Sequence, residues 1–182
     1  MKKLLYILFF ISHLGHAMSI HDACRKGNAP EVKKLLASNA DQLNERKNGG
    51  LPIHFAAYGC STEAIKLLLD AKPELVNEPD ARGNVPFNHV FMAILDWQEE
   101  VRKIGIVENI VKMGILQHRS SEKFEDAKAK KMRSFKATID LFIERGARLD
   151  KPNNFGCTWD QMPGVDKELA GYARSIKLLQ NK

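Results

Sequence analysis

The sequence predicts an all-α solenoid of stacked helix–turn–helix repeats, about four in number, and three observations carry that prediction. A short pattern recurs at a 33-residue step, from Ile20 to Ile53, His21 to His54 and Ala23 to Ala56. A second series keeps the same step, from Val32 to Ile65, Leu35 to Leu68 and Leu36 to Leu69. Inside each unit the apolar positions fall at helical spacing. Two series in register at one period mark a repeat architecture, because one helix pair is too thin to bury its own apolar face and must stack on its neighbours.

Ahead of the first unit stands MKKLLYILFFISHLGHAMS. Lys2 and Lys3 form a positive start, Leu4 to Ile11 are eight apolar residues, and Gly15-His16-Ala17 places small residues where a peptidase cuts. The pattern is that of a secretory signal peptide over residues 1–17, cleaved after Ala17. The apolar run is far short of the roughly 20 residues that a bilayer span needs. No later segment is long and apolar enough to cross a membrane. The mature chain, 18–182, is expected to be exported, soluble and monomeric, in the periplasm or outside the cell. Formal charge is +6, and losing Lys2 and Lys3 lowers it to +4. Cys24, Cys60 and Cys157 are odd in number and form no CxxC, so they read as small apolar residues rather than a redox device.

In the second unit, Ile53 to Gly59 reads as a short first helix, with Pro52 at its start where a missing N–H is harmless. Gly59-Cys60-Ser61 breaks it. Thr62 is placed to cap a second helix carrying Ile65, Leu68 and Leu69 on one face. Residues 77–84, with Pro79 and Gly83, form a turn-rich connection. A third copy opens at 83-GNVPFNHV-90, and a degraded fourth at 156-GCTW-159.

The 33-residue length, the opening 50-GLPIHFAA-57 and the Gly-containing turns resemble ankyrin repeats, closely over 19–96 and again over 137–159. The resemblance implies that His21 and His54 hydrogen-bond neighbouring backbone, a structural role. Asn88 stands at the same position in the third unit, which suits hydrogen bonding and would spoil acid–base work.

The chain departs from that pattern in the third unit. The step between its two helices, Phe87 to Ile139, is 52 residues, against 12 from Ile53 to Ile65. The excess is read as an insertion over about 97–136. Its front half extends the first helix through Val101 and Ile104, with Gly105 or Gly114 expected to end it. Its back half, 117-QHRSSEKFEDAKAKKMRSFK-136, is highly charged with few apolar residues, and the insertion is expected to form a mobile or loosely packed helical hairpin. The insertion holds ten Lys or Arg and six Asp or Glu. Its run 128-KAKKMR-133 lacks interleaved aromatics, so nucleic acid is not an expected partner. Residues 160–182 read as a C-terminal cap, whose helix 166–179 stripes Leu169, Tyr172, Ile176 and Leu179.

No linear motif for catalysis or phosphate binding is present, and no Cys/His group has zinc-like spacing. No cofactor, metal or catalytic residue is therefore assigned. The resemblance instead implies a protein-binding concave face. Its positions carry over to Arg25 and Lys26, then Lys47, Asn48, Gly50 and Tyr58, then Ala81, Arg82, Asn84 and Met92, and finally Asn154 and Phe155. Four are cationic and none is acidic, so stacking would make a basic strip suited to an acidic protein partner. Tyr58 and Phe155 would serve as aromatic anchors. The alternative is an enzyme or inhibitor whose active element is the 97–136 insertion.

Overall fold

The computed structural model describes residues 18–112, 121–161, 171–175 and 178, with residues 104–112 and 121–124 described by their backbone alone. The proposed signal peptide, Gly114, and the stripe residues Leu169, Ile176 and Leu179 lie outside the described residues. Six helices, α1 Ile20–Lys26, α2 Ala29–Ser38, α3 Pro52–Tyr58, α4 Thr62–Ala71, α5 Pro86–Lys112 and α6 Ser121–Glu144, pair in order. The described residues contain no strand, only an isolated bridge between Lys47 and Gly50. The architecture is the all-α helix–turn–helix solenoid that the periodicity predicts.

The 33-residue step has a local physical basis at two successive positions. Gly27 and Cys60 both take the left-handed conformation that ends a first helix, with φ of 70° and 52°. Asn28 and Ser61, one residue on, both cap the second helix: each side chain accepts from a backbone N–H three residues later. The cap in the second unit is thus Ser61 and not Thr62, whose hydroxyl donates to Glu63 instead. Gly59 is not the turning residue either, since its φ is −71°. It is glycine because a Cβ there would stand 2.2 Å from the Arg25 carbonyl oxygen. Its bare backbone lets the second unit lie directly on the first.

The core runs along the stack between the two helix layers. Ile53, Ile65, Leu68, Phe87, Phe91, Ile139 and Phe142 are completely buried. Val32 is buried too, but Leu35 and Leu36 on α2 are only half-buried, since among the described residues the first unit has one neighbouring unit. At the other end Trp159 packs on Phe91 with ring centroids 4.4 Å apart and stands edge-on to Phe87 at 5.8 Å. The fourth unit is thereby anchored by one indole.

The third unit is unlike the first two. Its helices α5 and α6 have 27 and 24 residues, where α3 and α4 have 7 and 10. At 1.5 Å per residue they are about 40 and 36 Å long. Gly105 does not interrupt α5, which continues to Lys112; a single glycine costs a helix interior only about 1 kcal/mol. The basic segment from Ser121 onward is one continuous helix with Ile139, so both described halves of the insertion are helical and continue α5 and α6. Close to the stack the two helices are held together by Trp97 edge-on to Phe135 at 5.5 Å. Ser134 Oγ donates to the Cys60 carbonyl, joining α6 to the second unit.

Candidate functional site

The turns that join the units form one edge of the molecule, and backbone bonds zip them together. Lys47 and Gly50 exchange N–H···O bonds of 2.9 and 3.0 Å around Asn48 and Gly49. Both central residues have positive φ, 52° and 82°, the geometry that an Asn-Gly pair adopts readily. Ala81 N–H then donates to Gly49 O, and Asn154 N–H to Arg82 O, each at 3.0 Å. Three turns are thus fixed in register. Any ligand lying across them meets a preformed surface.

Two histidines brace this edge from behind. His54 is 1% exposed, and its Nδ1 accepts from Leu51 N–H at 3.1 Å. The proton therefore sits on Nε2, which donates to Asn84 O at 3.2 Å. Burial pushes its pKa down to about 4, so the ring is neutral near pH 7. His21 repeats the arrangement with its Nε2 2.9 Å from Glu45 O, but its Nδ1 has no partner among the described residues. Asn88 departs from expectation. It is buried, yet its Nδ2 has no partner among the described residues. Asn153 supplies the corresponding link instead, donating to Asn84 Oδ1 at 3.0 Å.

Two adjoining hollows lie in front of the turns. The first, about 250 Å³, is lined by Arg25, Lys47, Asn48 and Tyr58 together with Phe55 and His89. The second, about 210 Å³, brings Asn48, Arg82, Asn84 and Met92 together. They share Asn48, Asp80 and His89 as a common wall. Nine of the twelve residues expected at the concave face, Gly50 and Ala81 among them, thus line these two adjoining hollows. Lys26, Asn154 and Phe155 line neither hollow, although Phe155 is 76% exposed at the tip of the last turn.

Residues 20–69 match the family model described as ankyrin repeats (many copies). The first two units are thus similar to ankyrin repeats. None of the curated proteins matches the chain. Ankyrin repeats generally mediate protein–protein interaction, and they are typically scaffolds rather than enzymes.

Two expectations for this face need correction. Asn84 is 2% exposed and is committed to Asp80, Asn153 and His54, so it supports the surface without forming much of it. The strip is also not purely basic. Lys47 Nζ is 3.0 Å from Asp22 Oδ2, Tyr58 donates its hydroxyl to Asp96, and Asp80 stands in the wall between the hollows. The bond to Asp96, with burial second, pushes the Tyr58 phenol up to about 12. Burial alone would raise the Asp80 carboxyl. Donors from His89, Asn84 and Arg82 outweigh that and hold it well below the usual carboxylate range. Asp80 was missed by reading the face only for family contact positions. Its signal was present in 79-PDARG-83, where an aspartate opening a turn accepts from backbone N–H groups two and four residues on.

Catalytic chemistry gains no support from the cysteines. Burial pushes the thiols of Cys24 and Cys60 up to about 12, so neither is a thiolate near neutral pH. Among the described residues no three His, Cys, Asp or Glu side chains are grouped to hold a metal ion.

Proposed function

We propose that this chain is exported and binds a protein partner through its concave face, with an acidic segment of the partner lying across the two hollows. One observation carries the reading: stacking brings Arg25, Lys47, Asn48 and Tyr58 from separate elements to one hollow, and Arg82 and Met92 to the next. Among the described residues Arg25 and Arg82 make no ion pair through their guanidinium groups, so both remain available to carboxylates.

Export rests on the residue pattern of 1–17, cut after Ala17, which leaves a monomeric scaffold acting in the periplasm or outside the cell. A signal of this bacterial form ahead of ankyrin repeats suits a secreted effector of a host-associated bacterium. The lengths of α5 and α6 favour reading 97–136 as an insertion in the third repeat that leaves the concave face open.

The test is capture and identification of a partner by the full chain, followed by binding measurements on Arg25→Glu/Arg82→Glu. Loss of binding with an unchanged melting curve is the expected outcome. Undiminished binding by a folded double variant would sink the concave-face reading.

A further inference from the structure

The hollow beside Arg25 has a composition that its neighbour lacks. Two rings, Phe55 and Tyr58, stand in its wall. Gly50 leaves one side without a side chain, and a Cβ there would meet the Phe55 ring at 3.2 Å. Both rings are held before any ligand arrives. Phe55 lies edge-on to His21 with centroids 4.9 Å apart, and the Tyr58 hydroxyl is tied to Asp96. Little side-chain freedom remains to be lost on binding, which is the condition for an efficient anchor site. Because its hydroxyl is engaged, Tyr58 offers ring surface rather than a hydrogen bond.

Size and charge narrow the occupant. About 250 Å³ lies below the roughly 300–1,000 Å³ of small-molecule pockets, so one side chain fits better than a free metabolite. An aromatic ring gains edge-to-face contact with Phe55 and Tyr58 beyond its buried area. The Arg25 and Lys47 cations beside the hollow favour the face of such a ring. Of these, Lys47 is already paired with Asp22, while Arg25 is not, and Arg82 flanks the second hollow in the same unpaired state. Asp80 does not repel an acidic ligand strongly from the shared wall. Its two oxygens accept from Arg82 N–H, Asn84 N–H, Asn84 Nδ2 and His89 Nε2.

We propose that this hollow is a socket for a single aromatic side chain of an acidic partner segment, packed against Phe55 and Tyr58, with flanking carboxylates reaching Arg25 and Arg82. The inference rests on the concave-face reading and adds to it a side-chain preference. Arginine suits the flanking role because its planar fork takes a carboxylate in two parallel bonds.

The test uses fluorescein-labelled peptides and fluorescence anisotropy on the full chain at low salt. The probes are Gly-Asp-Glu-Phe-Asp-Glu-Gly, its Phe→Ala form, and a form with every acid changed to its amide. The Phe peptide is expected to bind at least about tenfold tighter than the Ala peptide, as a packed aromatic anchor does. Tyr58→Ala should erase that preference, and Tyr58→Phe, which keeps the ring, should retain it. Arg25→Ala, a change at an exposed residue, should weaken the Phe peptide by roughly fivefold. Equal affinities for the Phe and Ala peptides, both still weakened by Arg25→Ala, would overturn the socket and leave the concave-face reading standing. Binding that ignores Arg25→Ala and Arg82→Ala alike would overturn both. Failure of all three peptides to bind would overturn the socket.

Discussion

His54 Nε2 donates to the carbonyl oxygen of Asn84 across 3.2 Å, while its Nδ1 accepts from Leu51 N–H. One buried ring thus ties the start of its own helix to the turn of the following unit, 30 residues on. The histidine is a brace: it lines the first hollow, but both its nitrogens are engaged by backbone.

His54→Ala should therefore lower stability by about 1–2 kcal/mol, the cost of leaving buried backbone groups unpaired. The variant should still bind whatever the folded wild type binds. Urea unfolding monitored by circular dichroism measures the first effect. A variant with wild-type stability but no binding would contradict the bracing role.

The same ring makes stability depend on pH in a defined window. Its pKa falls from 6.5 to about 4 on folding because burial disfavours the charged imidazole. The unfolded chain then binds a proton more readily than the native state, so stability is lost as pH falls from about 6.5 towards 4. The shift corresponds to roughly 3 kcal/mol at most. Below the folded pKa both states are protonated and this contribution levels off. Unfolding free energies measured from pH 7 to pH 4 should show the decline, and His54→Asn should reduce it, leaving a part from His21, whose pKa burial also lowers. An identical slope in both proteins would refute the assignment.

Gly59→Ala should be among the most damaging single-methyl additions. The new Cβ would stand 2.2 Å from the Arg25 carbonyl oxygen, a backbone atom that cannot rotate aside. Overpacking of this kind costs about 1–3 kcal/mol, and here it falls on the contact between the first and second repeats. Amide exchange should accelerate in α1 and α2 before α5. Unchanged protection in α1 would show that the two units absorb the methyl.

Leu68 is fully buried on α4, between the half-exposed α2 and the aromatic core of the third unit. Leu68→Ala should cost about 2–5 kcal/mol. Nearest-neighbour coupling means that the first repeat, with one neighbour and two half-exposed leucines, should open first. Hydrogen exchange read by mass spectrometry follows both effects.

Period was the legible part of this fold, because stacking forces one apolar pattern on every unit. It placed Ile53, Ile65 and Leu68 in the core and brought most of the expected face residues to two hollows. What period could not reveal is chemistry between units. Gly59 looks like a turn residue in sequence, yet Cys60 carries the positive φ and Gly59 only makes room for Arg25. Asp22 and Asp96 alter the charge of the face, and each is placed there by a partner in another unit, Lys47 or Tyr58. Residues 121–136 carry few apolar positions to fix their place in sequence, and in the structure they are the front of α6.

Association with an acidic partner should depend on the unpaired arginines more than on the lysines. Arg25, Lys26, Lys47 and Arg82 were expected to act as one strip, but Lys47 is held 3.0 Å from Asp22 and Lys26 lines neither hollow. Exposed charges are worth under about 1 kcal/mol each, so single reversals should do little. Their joint field acts mainly on the encounter rate. Arg25→Glu/Arg82→Glu should therefore slow association by at least about tenfold at low salt, and adding Lys26→Glu should change little further. The wild-type rate should fall as salt rises to about 0.5 M, where the Debye length is only a few Å. Tyr58→Ala should raise the dissociation rate instead, since its ring is held by Asp96 as a fixed packing surface. Reversal of the 128–133 basic run is the internal control, because Lys128 is already paired with Glu125 and Lys131 lies over the Phe135 ring. Stopped-flow kinetics on each variant separates these effects. Loss of association in the 128–133 variant, with the arginine pair dispensable, would move the interface from the groove to α6.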